Sequence, residues 1–310
     1  NQILRVIKPA FGDIRAPKLW HGDASSAMGE IGFCTHALDR CLCLSFRPAE
    51  EKEVLPTWFD PESQSRYVLD GRMGLHVDDY VGGGEGLSKP EDLKAESVPG
   101  TFLWRVQQLN ARYRFGKWEF GGAITFCGLE VEQNAACSET AVKAEAYIHK
   151  VKPITIEKAR RQHTNDELTP QEASRLRGPN GAMQWPASQC MVQAAATVSF
   201  AQAEGSKHRA VVQSLLDANK NLRFLKASGE VGLHFCYVGP WAELRFGCYW
   251  DGSWASRPDG ESQGGNMIFA IADARIDDGQ PAALVILDWA SRKQRRVCRS
   301  SLASEAQSAA

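Results

Sequence analysis

No run of apolar residues in this 310-residue chain approaches the roughly 20 needed to span a bilayer, which excludes a membrane-spanning helix. The start, "NQILRVIKPAF", lacks an initiator Met and the basic, apolar and small-residue segments of a signal peptide, so it reads as a cut and not as a natural terminus. The end, "SSLASEAQSAA", stops inside what reads as a helix. Nine cysteines are present but no CxxC pair; the closest spacing, Cys41-Leu42-Cys43, suits neither a zinc knuckle nor a redox motif. An odd number without a secretory signal points to reduced, mostly buried thiols in an intracellular protein, cytoplasmic or nuclear. Neither sign of charge is in excess: 36 Lys and Arg stand against 37 Asp and Glu, and the net charge of −1 gives no global case for nucleic-acid binding.

What is there is the composition of a globular protein, 43% apolar and 24% charged, long enough for about two domains. Residues 18–31 have mixed helical character, and Asp39 to Phe46 alternate like a strand. "RYVLDG" and "RMGLHVDDYVGG" read as two strands or a bent hairpin. A helix follows with Leu103, Val106 and Leu109 at helical spacing, and "WEFGGAITFCGLEVEQ" is strand-like, broken by glycines. "LTPQEASRL" marks a helix start: Thr169 as cap, Pro170 in the first position, Glu172 completing a capping box. "HRAVVQSLLDANKNLRFLKASG" places Val211, Val212, Leu215, Leu216, Leu222 and Leu225 on one helical face, with Gly229 past the end. From residue 241 three strand-like runs take over, which puts a domain boundary near 228–241.

In "GRMGLHVDDYVGGGEG", residues 71–86, Asp78 and Asp79 should lie at or just past a hairpin tip. Like charges held so close repel, and a hard divalent cation such as Mg²⁺ would offset the repulsion. For the dipeptide alone, ordinary turn chemistry is a sufficient explanation and the favoured one. The cluster Arg292, Lys293, Arg295, Arg296 and Arg299 is either a solvated strand end or a local polyanion site. His21, His36, His149, His163, His208 and His234 are scattered singly, which suits satisfied or exposed side chains better than ligands. Trp20, Trp118, Trp185 and Trp289 read as packing residues.

Eight segments, taken in order, resemble one family. "VIKPAFGDIRAPKLW" (6–20) is similar to the K-A-L-Y-G-L-K-Q-A-P-R-x-W segment of copia-type LTR retrotransposon reverse transcriptases, and "HVDD" (76–79) to the Y-V-D-D hairpin that follows it. "FGKWEFGGAITFCGLEVEQ" resembles F-x-M-x-D-L-G-x-x-x-x-F-L-G-I-E-V, and "EAYIHKV" resembles Q-x-x-Y-I-x-x-L. "RLRGPNGAMQWPASQCMVQAAATVSFAQ" and "NLRFLKAS" resemble the next two segments in spacing and partly in residues. "YWDGSWASRPDGESQGG" and "LDWASRKQRRVCRSSLASEAQSAA" resemble the ribonuclease H domain of the same Pol polyprotein.

The resemblance implies an α+β chain in three parts. Residues 1–135 would be the C-terminal part of a reverse transcriptase palm, 136–235 a helical thumb and connection, and 236–310 the N-terminal part of a ribonuclease H-like α/β domain. It implies an RNA-directed DNA polymerase (a nucleotidyltransferase) with ribonuclease H, using two Mg²⁺ ions, an RNA or DNA template-primer and dNTPs. Asp78 would share metal coordination with Asp79 beside it, and Cys127-Gly128-Leu129 would lie near the primer strand. His76 stands where the family usually has Tyr, and Arg15 where it has Gln.

Asp251 and Glu305 would be nuclease metal ligands, Asp251 on the strand side opposite Leu244, Phe246, Cys248 and Trp250. Glu305 would sit in the first turn of a helix capped by "SS", with Ala303 in place of the family's first Glu. A three-stranded meander is expected to bring the two carboxylates to one sheet face. Each site would lack at least one Asp: the polymerase's main partner upstream of the "KPAFG" segment and the nuclease's beyond Ala310. The alternative is a non-catalytic remnant of a decayed retrotransposon that binds nucleic acid.

Overall fold

The computed structural model describes residues 14–51, 53, 57–60, 65–113, 115–206, 210–240, 243–257, 260–272 and 282–309. Residues 6–13 of the first matched segment, and His208, lie outside them. The chain divides into two compact units, Asn1–Cys127 and Gly128–Ala310. Among the described residues the architecture is mixed α and β, with seven α-helices and antiparallel sheets. No described helix is long and apolar enough to cross a membrane.

The first unit opens with α1 (Ala16–Ile31), which carries Pro17 in its first turn and ends on Gly32 in the left-handed region, φ 97°. Then come β1 (Cys34–Thr35), β2 (Leu42–Pro48), β3 (Thr57–Asp60), β4 (Ser65–His76) and β5 (Asp79–Gly84). β4 is the spine: β2 pairs along its Tyr67–Gly74 stretch, and β3 and β5 pair with its first and last parts, all antiparallel. α2 (Phe102–Arg112) follows, its first turn capped by the Thr101 hydroxyl, and β6 (Ala123–Phe126) ends the unit. The expected Leu103, Val106 and Leu109 are all buried, in or beside a core of Ala24, Met28, Phe33, Met73, Leu75 and Phe102.

β4 runs unbroken through "LDGRMG", where the sequence reads as two strands or a bent hairpin. Asp70 is 3% exposed; its Oδ2 accepts the Phe102 N–H at 2.6 Å, anchoring the N-terminus of α2. The glycines here are strand residues making room for side chains, since a Cβ on Gly71 or Gly84 would stand within 2.5 Å of the Phe102 ring. What looked like turn chemistry is close packing.

The second unit begins with β7 (Leu129–Gln133), β8 (Glu139–Lys143) and α3 (Glu145–Lys150). Three long helices follow: α4 (Pro170–Gln189), α5 (Ala195–Ser206) and α6 (Val212–Ala227). β9 (Leu233–Cys236) pairs antiparallel with β8, which pairs with β7. The expected capping box opens α4: Thr169 Oγ1 accepts the Glu172 N–H at 3.2 Å, and Glu172 Oε2 accepts the Thr169 N–H at 2.8 Å. On α6, Val212, Leu215, Leu222 and Leu225 are buried, as the spacing predicts. Leu222 and Leu225 join a core with Ile148, Met183, Met191 and Val198, and Leu215 joins another with Ile154, Ile156 and Leu176.

The last elements are β10 (Leu244–Ser253), β11 (Gln263–Ala272), β12 (Leu284–Lys293) and α7 (Ser301–Ala309). The three strands form an antiparallel meander, as the alternation in residues 244–290 leads one to expect. This sheet packs on the helices through β12: Ile286 and Trp289 lie against the core of α4 and α5, and Trp289 Nε1 donates to Ala187 O at 2.9 Å. The boundary expected near 228–241 therefore falls inside this unit, while the compact division lies at 127/128.

Of the nine cysteines, all free, only Cys43 and Cys190 are buried; Cys34, Cys41, Cys137 and Cys248 are exposed. The expectation of mostly buried thiols is corrected. Cys43 and Cys190 face cores, and burial raises both thiols, Cys190 to about 12.

Candidate functional site

The Asp-Asp pair sits where the sequence places it. β4 and β5 close on the pair His76 and Asp79, leaving Val77 and Asp78 as the two-residue tip, and both carboxylates are exposed. Val77 has φ 53° and Asp78 is not in the left-handed region, so positive φ falls on the first central residue alone, as in a type II′ turn. That place suits glycine; a β-branched side chain there is strained. The Trp20 indole N–H donates to the carbonyl of Val77, a contact the sequence does not reveal.

An aromatic group braces this hairpin from below. Trp20 meets Tyr113 edge-on at 5.4 Å, Tyr80 meets Phe115 at 5.3 Å, and Phe115 meets Trp118 at 5.1 Å. Tyr113 donates from its hydroxyl to Asp23 Oδ2 at 3.0 Å. Burial pushes the Tyr80 phenol up to about 12, so the residue after Asp79 stays neutral and adds no charge. Cys127 lies close enough to Asp79 to feel it: its thiol is raised first by burial and then by that carboxylate. His76 lies edge-on to Phe126 at 6.4 Å and remains exposed.

In the second unit, α7 lies on the meander at two glycines. A Cβ on Gly252 would stand 2.6 Å from Ser304 backbone atoms, and one on Gly264 would stand 2.8 Å from Ser308 Oγ. Gln294, 6% exposed, locks the helix down: its Nε2 donates to Ser304 O at 2.6 Å and Ser308 Oγ at 2.9 Å, and its Oε1 accepts from Ser304 Oγ at 3.1 Å. Ser300 caps α7 by accepting the Ala303 N–H at 3.2 Å.

Glu305 is the fifth residue of α7, one turn beyond the expected first turn. Its Oε2 accepts the Gly252 N–H at 3.0 Å, which fixes the carboxylate one residue from Asp251. The shared-face expectation is corrected in one respect. Alternation turns Gly252 toward α7 and Asp251 to the other side, with Tyr249 and Gln263, whose Nε2 donates to Ser199 of α5. The two carboxylates are thus related across the backbone of β10. Phe246 and Trp250, on the α7 side, are 57% and 51% exposed.

The basic cluster divides between strand and loop. Arg292 and Lys293 end β12, and Lys293 pairs with Glu261 at 2.6 Å. Arg295, Arg296 and Arg299 lie exposed in the loop to α7, which is tied by mutual 3.4 Å bonds between the Arg296 backbone and the Gln307 amide. Among the described residues, Arg292, Arg295, Arg296 and Arg299 form no ion pair. The described histidines do not cluster: His234 meets Glu139 at 2.8 Å and His149 meets Glu145 at 4.0 Å. Trp118, Trp185 and Trp289 pack as expected.

Among the described residues no group of three or more His, Cys, Asp and Glu side chains converges as a metal site. Asp78 and Asp79 are hard oxygen donors of the type Mg²⁺ takes, but the pair supplies only part of a two-metal site, and so does Asp251 with Glu305. Comparisons with protein-family models, curated proteins and solved structures return no significant match to this chain.

Proposed function

We propose that this chain is a nucleic-acid-binding piece of a copia-type Pol polyprotein, holding the carboxylate hairpin of a reverse transcriptase palm and the opening strands of a ribonuclease H. The observation that carries the reading is a double one. A hairpin presents Asp78 in its two-residue tip and Asp79 just past it in the first unit, and a meander followed by a helix fixes Glu305 one residue from Asp251 in the second. Both arrangements follow the order of the matched segments, with Asp251 and Glu305 on opposite sides of the β10 backbone.

On this reading Asp78 with Asp79, and Asp251 with Glu305, would hold Mg²⁺, which would supply charge stabilisation for phosphoryl displacement. The Trp20-to-Val77 contact sets the hairpin tip, which orients Asp78 and Asp79 outward. Gln294 and the two glycines set α7, which orients Glu305. Template-primer binding falls to Arg292, Lys293, Arg295, Arg296 and Arg299. The alternative form of the reading is non-catalytic, with binding kept and synthesis lost.

Phosphate contacts release counterions, so affinity should fall steeply with salt. Each contact contributes about 0.7 to the log–log slope on a single strand, so Arg295→Ala with Arg296→Ala should weaken binding and flatten the slope by about 1.4. Fluorescence anisotropy over a salt series measures both. A slope unchanged in the double variant sinks the assignment of the cluster to nucleic acid.

A further inference from the structure

We propose that Trp254 is a base-stacking residue, and that with the arginine loop it grips nucleic-acid strands whose bases are unpaired. The inference rests on the proposed role of the arginine cluster and goes beyond it, because phosphate contacts alone are indifferent to bases.

Trp254 lies just past the end of β10, three residues after Asp251, and is 52% exposed. A tryptophan left half in water in a polar "DGSWAS" stretch forgoes burial of a large apolar surface. It is not a loose side chain. Its indole N–H donates to Cys298 O at 3.0 Å, which pins the ring to the loop that carries Arg295, Arg296 and Arg299. Its own turn is held as well: Ala255, at φ 50°, donates its N–H to Ser262 Oγ at 3.1 Å, and Ser256 Oγ donates to Ser253 O at 3.2 Å. The loop on the other side is fastened to α7 through Arg296 and Gln307.

The result is a fixed, half-open aromatic face beside three exposed arginines that pair with no carboxylate among the described residues. An indole adds nothing to the recognition of a plain polyanion. Paired with a positive loop, it fits a nucleotide whose phosphate meets an arginine while its base lies on the ring. A base within a duplex has both faces covered by its neighbours, so the grip selects single strands and frayed or overhanging ends.

The test compares a 12-residue oligothymidylate with an abasic oligonucleotide of equal length, which keeps the phosphates and lacks the bases. Wild type should prefer the thymidylate. Trp254→Ala should lose about tenfold or more on the thymidylate and little on the abasic strand. Trp254→Phe keeps an aromatic face without the N–H and should hold affinity to within about threefold. The Arg295→Ala, Arg296→Ala variant should weaken both strands alike.

If Trp254→Ala and Trp254→Phe weaken both strands equally, the indole only holds the loop and the stacking role is overturned. Wild type showing no base preference while remaining sensitive to the arginines also overturns stacking, and leaves the arginine assignment standing. Binding of neither strand by wild type removes the arginine assignment itself, and this proposal with it.

Discussion

At the scale of single residues, the chain keeps a strained backbone where its most conspicuous motif turns. Val77, at φ 53°, is 53% exposed, so its side chain contributes little burial to offset the strain. Strain of this kind costs on the order of 1–3 kcal/mol, and glycine removes it for an unfolded-state entropy cost of roughly 0.4–1 kcal/mol. Val77→Gly should therefore raise stability by about 1 kcal/mol, although glycine in a strand or turn usually lowers it. The Trp20 contact survives, because it is made to the backbone carbonyl. Urea unfolding at unchanged slope is the measurement, and a lower midpoint would show that Val77 is not strained. The hairpin position of Asp78 and Asp79 was legible because Asp before glycines marks a turn, whereas the pair alone does not decide between a turn and a metal site. Asp70 was not. Its carboxylate holds a helix 32 residues away, and nothing local in "RYVLDG" announces that. Trp254 was legible only as part of a motif, since exposure and the bond to Cys298 arise from the tertiary fold.

At the scale of elements, periodicity and caps carried most of the reading, and packing decided the rest. α4 begins at the predicted box but then runs on through "GPNGAMQWPASQ", with Pro179 and Pro186 inside it. Propensity argues against such a helix by about 3 kcal/mol per interior proline. Its buried face, with Leu176, Asn180, Met183, Pro186 and Ala187, overrides that cost, as tertiary burial commonly does. The strong N-terminal cap fits this need. Arg160 donates to both Glu172 oxygens, at 2.9 and 3.1 Å, and the Thr169 N–H adds a third bond at 2.8 Å.

Together, Arg160 first, they hold the Glu172 carboxyl at about 2, below its ordinary 4.5. A depressed carboxylate stabilises the native state fully above 4.5, and that contribution fades as pH falls toward about 2. Glu172→Gln keeps a capping side chain but loses the charge, so it should cost roughly 1 kcal/mol at pH 7. The gap from wild type should close between about pH 4.5 and 2, read from urea midpoints at stepped pH. A gap that persists at the acid end would mean that shape, not charge, holds the box.

At the scale of the whole molecule, each of the two compact units carries one of the carboxylate pairs that the motifs single out, Asp78 with Asp79 and Asp251 with Glu305. The order of elements was legible: a hairpin with its aspartates, helices, then a meander and a capped helix. The grouping was not. The composition changes near residue 241, yet β12 turns Ile286 and Trp289 onto the helical core, a choice of face that no local pattern fixes. The same limit applies to the sites. Sequence order can name carboxylates but cannot say whether enough of them converge.

Among the described residues they do not. In-line nucleotide transfer needs metals bridging attacking and leaving oxygens, and Mg²⁺ sheds its hydration water reluctantly. Two exposed aspartates on a hairpin tip offer it one edge of a site. The 310-residue chain should therefore bind Mg²⁺ weakly by calorimetry and give no template-directed extension of a primer with Mg²⁺ and dNTPs, while still binding the oligonucleotide. Asp78→Asn, nearly isosteric, should leave folding and oligonucleotide affinity unchanged. Extension by wild type that Asp78→Asn abolishes would show that carboxylates outside the described residues complete the site. Extension equal in both proteins would reduce Asp78 to a turn residue and remove the polymerase reading.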